Sequence, residues 1–227
     1  MPHDAPAENP ARSPATLQGG ADGAPGTGPR RVNLRESLIQ AGLDLLESGG
    51  PEALTLRRAA ARAGVSHAAP AHHFDGLPGL MTAIAARAFA LFIEAMESRR
   101  RAAPPEPMAQ LAALCAGYQD FAEEHGGLFH VMFNHGDVNH ADPELCVLSA
   151  RAYGILREGC MPFASDDAPD RVLELAVWSM THGFAALRLS GARSKTPDGL
   201  TPPSFEHLLQ RLADAMGKPL APAPRLR

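Results

Sequence analysis

Apolar residues recur along this chain at intervals of three and four, and no stretch alternates convincingly at period two. The pattern therefore predicts helices, punctuated by Gly and Pro. Leu34, Leu38, Ala41 and Leu45 lay one apolar stripe along a helix over 34–48, which Gly49-Gly50-Pro51 stops. Thr55 is a good N-cap for a second helix over 56–63, and Gly64 ends it. Ser66 then caps a third helix over 67–73. Asp75-Gly76 turns the chain, and Pro78 suits the first turn of a fourth helix that runs to about Arg101. Its stripe is Leu80, Ile84, Ala88, Leu91 and Ala95. Pro104-Pro105 and Pro107 mark a joint, after which helical patterns cover 108–124, 127–133, 143–161, 169–190 and 204–216. The predicted fold class is all-α.

The ends of the chain fall outside this pattern. Residues 1–29 are Pro, Gly, Ala and small polar residues, with too little apolar surface to offset the entropy of ordering, and read as a disordered tail. Residues 218–227 read as a second flexible tail. Between them, three segments are expected: 30–76, a linking helix over 77–103, and a larger helical part over 104–217.

Composition narrows the class. The chain has 227 residues, 45% hydrophobic and 20% charged, an ordinary globular balance. A net charge of -4 excludes a polycation, so contact with nucleic acid would need a local basic patch. Cys115, Cys146 and Cys160 are an odd number without a Cys-x-x-Cys pair, which argues against a disulfide framework and a cysteine-rich zinc site. No apolar run approaches the roughly 20 residues of a membrane span. The start of the chain lacks the apolar core of a signal peptide. The expectation is a reduced, cytoplasmic protein with no membrane partner and no cofactor.

Such a patch exists in the stretch "LTLRRAAARAGVSHAAPAHHF", residues 54–74. Two short helices joined by a Gly-containing turn, the second poor in large apolar residues, describe a helix-turn-helix. Small side chains let a helix approach the floor of a major groove about 12 Å wide. Arg57, Arg58 and Arg62 lie between Thr55 and Phe74 with no carboxylate among them. Thr55 and Ser66 stand at helix starts, where backbone N–H groups and hydroxyls can hold phosphates. Pro70 sits at the edge of what a first helical turn tolerates, so the third helix is expected to be short and irregular.

Together with "LPGLMTAIAARAF" in the fourth helix, this stretch resembles the TetR family of bacterial transcriptional regulators, of the TetR/AcrR type, across residues 33–95. The resemblance implies an N-terminal three-helix DNA-binding domain with a helix-turn-helix, followed by a C-terminal bundle for ligand binding and dimerisation. It assigns phosphate contacts to Thr55 and Ser66, and a phosphate or guanine edge to Arg57. His67, Ala68, Ala69 and His72 would face bases, and His73 would touch the DNA backbone or buttress the recognition helix. Two positions depart from the family. Ala71 stands where a phosphate-contacting Tyr is usual, and Leu77 where a Lys is usual, and each lost contact removes salt-dependent affinity. Arg30 and Arg31 are candidates to compensate as an arm reaching phosphates or the minor groove.

The larger part is too apolar to be a second DNA reader. Val172, Ala176, Ser179, Gly183 and Ala186 form a stripe of small residues on the helix over 169–190, and Phe205, Leu208, Leu212 and Met216 form another on the last helix. The resemblance implies that these two helices pair with their twofold mates in a homodimer. That fits two recognition helices on half-sites one DNA turn apart. Trp178, His182 and Gly183, with "FAEEHGGLFHVMF" over 121–133, resemble the WHG-type C-terminal subgroup. Trp178 and His182 are four apart, so both should face the bundle interior. Tyr118, Phe121, Phe129, Met132, Phe133, Trp178 and His182 are the candidate lining of a pocket among the helices after the joint, suited to a small apolar or aromatic effector.

Three functional readings remain open. The first is a dimeric, ligand-responsive repressor that binds a palindromic double-stranded DNA operator and is released by a small molecule. The second is a TetR-like protein with weakened operator binding that acts through protein partners. The third is a His-metal hydrolase, invited by His125, His130, His135 and His140 at intervals of five. That spacing turns successive side chains about 140° apart on a helix, so they cannot converge from one helix. The sequence also lacks a nucleophile elbow and a phosphate loop.

Overall fold

Each helix begins and ends at a residue suited to satisfy or break its backbone hydrogen bonding. The computed structural model describes residues 33–134, 136–164, 171–191 and 203–216. Helix α1 (Leu34–Gly49) starts at Asn33, whose side chain accepts from the Arg35 N–H. Helix α2 (Leu56–Arg62) starts at Thr55, whose Oγ1 accepts from the Arg58 N–H at 3.2 Å. Gly64 follows with φ 70°, a left-handed conformation that a side chain would strain. The long helix α3 (Gly76–Ala102) is the fourth helix of the sequence pattern. Then come α4 (Pro107–Glu124), α5 (Gly126–Asn134), α6 (Pro143–Cys160), α7 (Arg171–Leu189) and α8 (Phe205–Met216). Among the described residues there is no strand.

The expected third helix over 67–73 is not an α-helix. It is a single 3₁₀ segment, Ala69–His72. Pro70 has no N–H to give to the Ser66 carbonyl, and that carbonyl accepts from Ala69 instead, at 3.0 Å. Ser66 therefore caps no α-helix; Ala68 occupies the cap position, without a side-chain bond. Gly64-Val65-Ser66 still turns the chain away from α2, and Phe74 is buried as expected.

Helix α3 lies at the centre of the unit, packed against α1, α4, α5 and α6. Leu80, Ile84 and Ala88 are fully buried, but Leu91 is exposed. The buried stripe continues through Phe92 and Met96, because α3 changes neighbours from the N-terminal helices to α4. Contrary to the expectation that no apolar run approaches a membrane span, α3 is long and apolar enough to cross one by length and composition. Its burial among four other helices accounts for that apolar character.

Two close contacts draw this packing tight. A Cβ on Gly117 would stand 2.5 Å from the Ala95 carbonyl oxygen and 2.7 Å from the Met96 Cα, so only Gly lets α4 lie this close to α3. On the other side of α3, Arg87 holds Glu36 of α1 through two contacts, at 2.8 Å and 2.6 Å. The described residues all belong to one compact unit that begins at Asn33. Arg30, Arg31, His135 and the two tails lie outside the described residues.

Candidate functional site

The first candidate surface is the basic stretch from Thr55 to His73. Thr55, Arg57, Ser66, His67, Ala68, His72 and His73 are exposed there, and Ala69 is half-buried. The Thr55 oxygen accepts from the backbone, which leaves its proton free to donate to a phosphate. Pro70 and Phe74 anchor the segment from beneath, and the Arg35 guanidinium lies over the Phe74 ring at 5.6 Å. Not all of the expected patch is available. Arg62 is held by Asp44 of α1, with Nε 3.0 Å from the carboxylate. A hydrogen bond from Gln40, and then Arg62, keep the Asp44 carboxyl below its ordinary range. Among the described residues, Arg57 and Arg58 pair with no carboxylate, so the free positive charge sits at the start of α2.

The second candidate is a cavity of about 300 Å³ inside the bundle. Tyr118, Met132, Phe133 and Trp178, four of the expected lining residues, stand along its wall. Phe121 and Phe129 are packed behind it, fully buried. His182 is also in that second layer. Its ring stacks on Phe129 with centroids 5.2 Å apart, meets Phe133 edge-on, and its Nδ1 lies 2.8 Å from the Tyr118 hydroxyl. Burial lowers the pKa of His182 and raises that of Tyr118, with a hydrogen bond from Trp178 opposing the latter shift. Trp178 and His182 thus both reach the Tyr118 hydroxyl but differ in exposure. Trp178 is half turned to solvent and packs edge-on against Tyr153, with centroids 6.1 Å apart.

Sequence reasoning missed two walls of this cavity. Phe89, Phe92 and Met96 come from α3, the helix assigned only a linking role. Ser149, Tyr153 and Leu156 come from α6, and His140 from the loop before it. The stripe of α3 contained the signal for the first, since its aromatic residues lie C-terminal to the part that covers α1. Behind Tyr153 lies a buried carboxylate. The Tyr153 hydroxyl donates to Glu174 Oε2 at 2.5 Å, and Arg157 Nε lies 3.6 Å from the other oxygen.

The two candidates are physically joined. His140 lines the cavity, and its neighbour Asn139 donates its backbone N–H to Thr82 Oγ1 at 2.9 Å. That hydroxyl donates to the Pro78 carbonyl at 2.8 Å, in the first turn of α3. The His125 ring at the start of α5 meets Glu47 of α1 at 2.9 Å, so this histidine serves an inter-helix contact. Among the described residues, no three His, Cys, Asp or Glu side chains come together as metal ligands.

The outer face of α7 carries Val172, Leu175, Ala176, Ser179, Ala186 and Leu187, all exposed. Val172 is 79% and Leu175 57% exposed, so the small-residue stripe lies on the side of α7 away from the core. Leu173, Val177, Thr181 and Phe184 fill the core side.

Residues 111–212 match the tetracyclin repressor-like C-terminal domain. No curated protein matches the sequence. Among solved structures, the chain is similar to a protein with unknown function from Rhodococcus sp. RHA1. The identity is 25%, the cover 84% of this chain and 97% of that one, and the TM-score 0.66. A TetR-family transcriptional regulator from Streptomyces coelicolor is 24% identical over 80% of this chain and 78% of its own, with a TM-score of 0.56. The TetR-like transcriptional regulator LfrR from Mycobacterium smegmatis, solved in complex with proflavine, is 17% identical over 84% and 99%, with a TM-score of 0.53.

Proposed function

From a chain that carries a tetracyclin repressor-like C-terminal domain over residues 111–212 and the fold of TetR-family transcriptional regulators, we propose a dimeric, ligand-responsive repressor of transcription acting in the cytoplasm. The N-terminal part, 30–76, reads a palindromic operator, and the part over 104–217 binds an effector and dimerises. Thr55, Ser66 and Arg57 hold phosphates or a guanine edge. His67, Ala68, Ala69 and His72 face bases, and His73 supports the segment from the side.

The observation that carries this reading is the position of α3. Its first turn follows the recognition segment directly, and its later turns supply Phe89, Phe92 and Met96 to the cavity wall. A molecule that fills the cavity must press on the helix that aims the DNA-reading surface. The Asn139–Thr82–Pro78 contacts give a second link to the same turn. Effector binding therefore favours a state in which the two recognition segments of a dimer no longer match half-sites about 34–36 Å apart. The apolar outer face of α7 supplies the dimer contact, beside α8, whose stripe turns inward instead, with Phe205 edge-on to Phe184 and Leu208 and Leu212 against the core.

The test is binding of the purified protein to DNA from around its own gene, by gel shift at two salt concentrations. Specific, salt-sensitive binding is expected, with Arg57→Ala weakening it about tenfold or more. A second reading is favoured by one observation: the recognition segment is a single 3₁₀ turn with Ala71 exposed in place of a phosphate-contacting side chain. Absence of any sequence preference at low salt would support that reading, a protein of this fold working through protein partners.

A further inference from the structure

The effector's chemistry can be read from the directions in which the cavity wall has already used its protons. Resting on the reading of this cavity as the effector site, we infer that its ligand is an uncharged aromatic molecule of one or two rings that donates a hydrogen bond from a hydroxyl or N–H group.

Size and surface come first. A volume of about 300 Å³ lies at the low end for small-molecule sites and suits a compact ring system. Phe92 meets Tyr118 edge-on with centroids 4.7 Å apart, and Phe89 meets Phe133 edge-on at 6.0 Å, so the wall is a set of aromatic edges and faces that a flat ring can join. No Asp, Glu, Lys or Arg stands among the described residues that line the cavity, and the imidazole among them, His140, belongs to an exposed residue of the loop before α6. A carboxylate or an ammonium ion entering it would shed water without meeting a permanently charged partner. The nearest charges, Glu174 and Arg157, already face each other behind Tyr153.

Polarity then selects within the neutral aromatics. Three hydroxyls at the wall have spent their protons inward. Tyr153 donates to Glu174 Oε2 at 2.5 Å, Thr181 to the Val177 carbonyl at 2.7 Å, and Ser149 to the Cys146 carbonyl at 3.1 Å. What each still offers to the cavity is oxygen lone pairs. Tyr153 is the strongest of these acceptors, because a hydrogen bond to a charged carboxylate makes its oxygen more negative. Of the other polar groups on the wall, Tyr118 and the Trp178 N–H are engaged with each other and with His182, and the exposed His140 ring can donate or accept, so the three hydroxyls tilt the wall toward accepting. A ligand whose only polar atom is an acceptor leaves those oxygens dry and unpaired, whereas a phenol- or indole-like donor satisfies one.

The chain contains one tryptophan, Trp178, and it lines the cavity, so intrinsic fluorescence reports on this site alone. The experiment titrates the full chain, without DNA, with 4-ethylphenol, its methyl ether 4-ethylanisole, 4-ethylbenzoate and 4-ethylbenzylammonium. Binding is read by Trp178 emission and by calorimetry. The phenol is expected to bind about tenfold more tightly than each of the other three. Tyr153→Phe is expected to abolish the preference for phenol over ether. Because that change strands the Glu174 carboxylate, Thr181→Val serves as a second variant, expected to reduce the same ratio in a folded protein. Equal binding of phenol and ether, tighter binding of either ion, or binding of none of the four would overturn the inference. So would a phenol preference unchanged in both variants. Operator binding is measured separately, so the repressor reading stands or falls on its own assay.

Discussion

At the scale of single residues, His182 shows what burial among aromatic rings does to a titratable group. Its neighbours are Tyr118, Phe129 and Phe133, and burial holds its pKa below the ordinary value of 6.5. Above 6.5 the folded and unfolded chains both carry it neutral, and stability does not depend on its proton. As pH falls below 6.5 the unfolded chain gains a proton that the folded chain refuses, so stability declines until the lowered native pKa is reached. The midpoint of thermal unfolding is therefore expected to drop as pH falls below 6.5, and His182→Gln should flatten that part of the profile. Neither the partner nor the shift is legible in the sequence, because Tyr118 and His182 are 64 positions apart. Arg62 teaches the same lesson: the stretch 54–74 has no carboxylate, but α1 brings Asp44 to it.

At the scale of elements, the recognition segment and the α3–α4 contact are the informative cases. The segment departs from an α-helix because one N–H is missing at Pro70. Ala71 is exposed on it, so Ala71→Lys is expected to add one phosphate contact. Measured by gel shift over a salt series, the slope of log affinity against log salt should steepen by about one. For α3 and α4, Gly117→Ala places a Cβ 2.5 Å from a backbone carbonyl oxygen, which the helices can relieve only by moving apart. Denaturant unfolding is expected to show a loss of about 1–3 kcal/mol. Apart from the third helix, helix boundaries were legible to within a residue or two, since Thr55, Gly64 and the Pro-rich joints act locally.

At the scale of the whole molecule, the question is whether α7 is shared between two chains. Val172, Leu175 and Leu187 leave an apolar strip in water that a monomer has no reason to keep. Leu175→Arg is expected to turn a dimer into a monomer by size-exclusion chromatography with light scattering. Operator affinity should fall at least tenfold with it, because one recognition segment alone cannot span two half-sites. An unchanged dimer would move the interface away from this face.

Local chemistry decided the all-α class, the helix ends, the carboxylate-free basic stretch and the family resemblance, all of which depend on the order and spacing of residues along the chain. The stripe on α7 was visible too, since two apolar faces on one helix need two partners. Only the tertiary structure decided which aromatic residues line a cavity and which merely fill the core. That depends on the distance between helices far apart in sequence. It placed Phe89 and Phe92 of the connecting helix in the wall, sent Phe121, Phe129 and His182 behind it, and turned the hydroxyl protons of Tyr153 and Thr181 away from the cavity. Periodicity tells a side chain which face of its helix it shares, but the neighbour that meets that face is set by the fold.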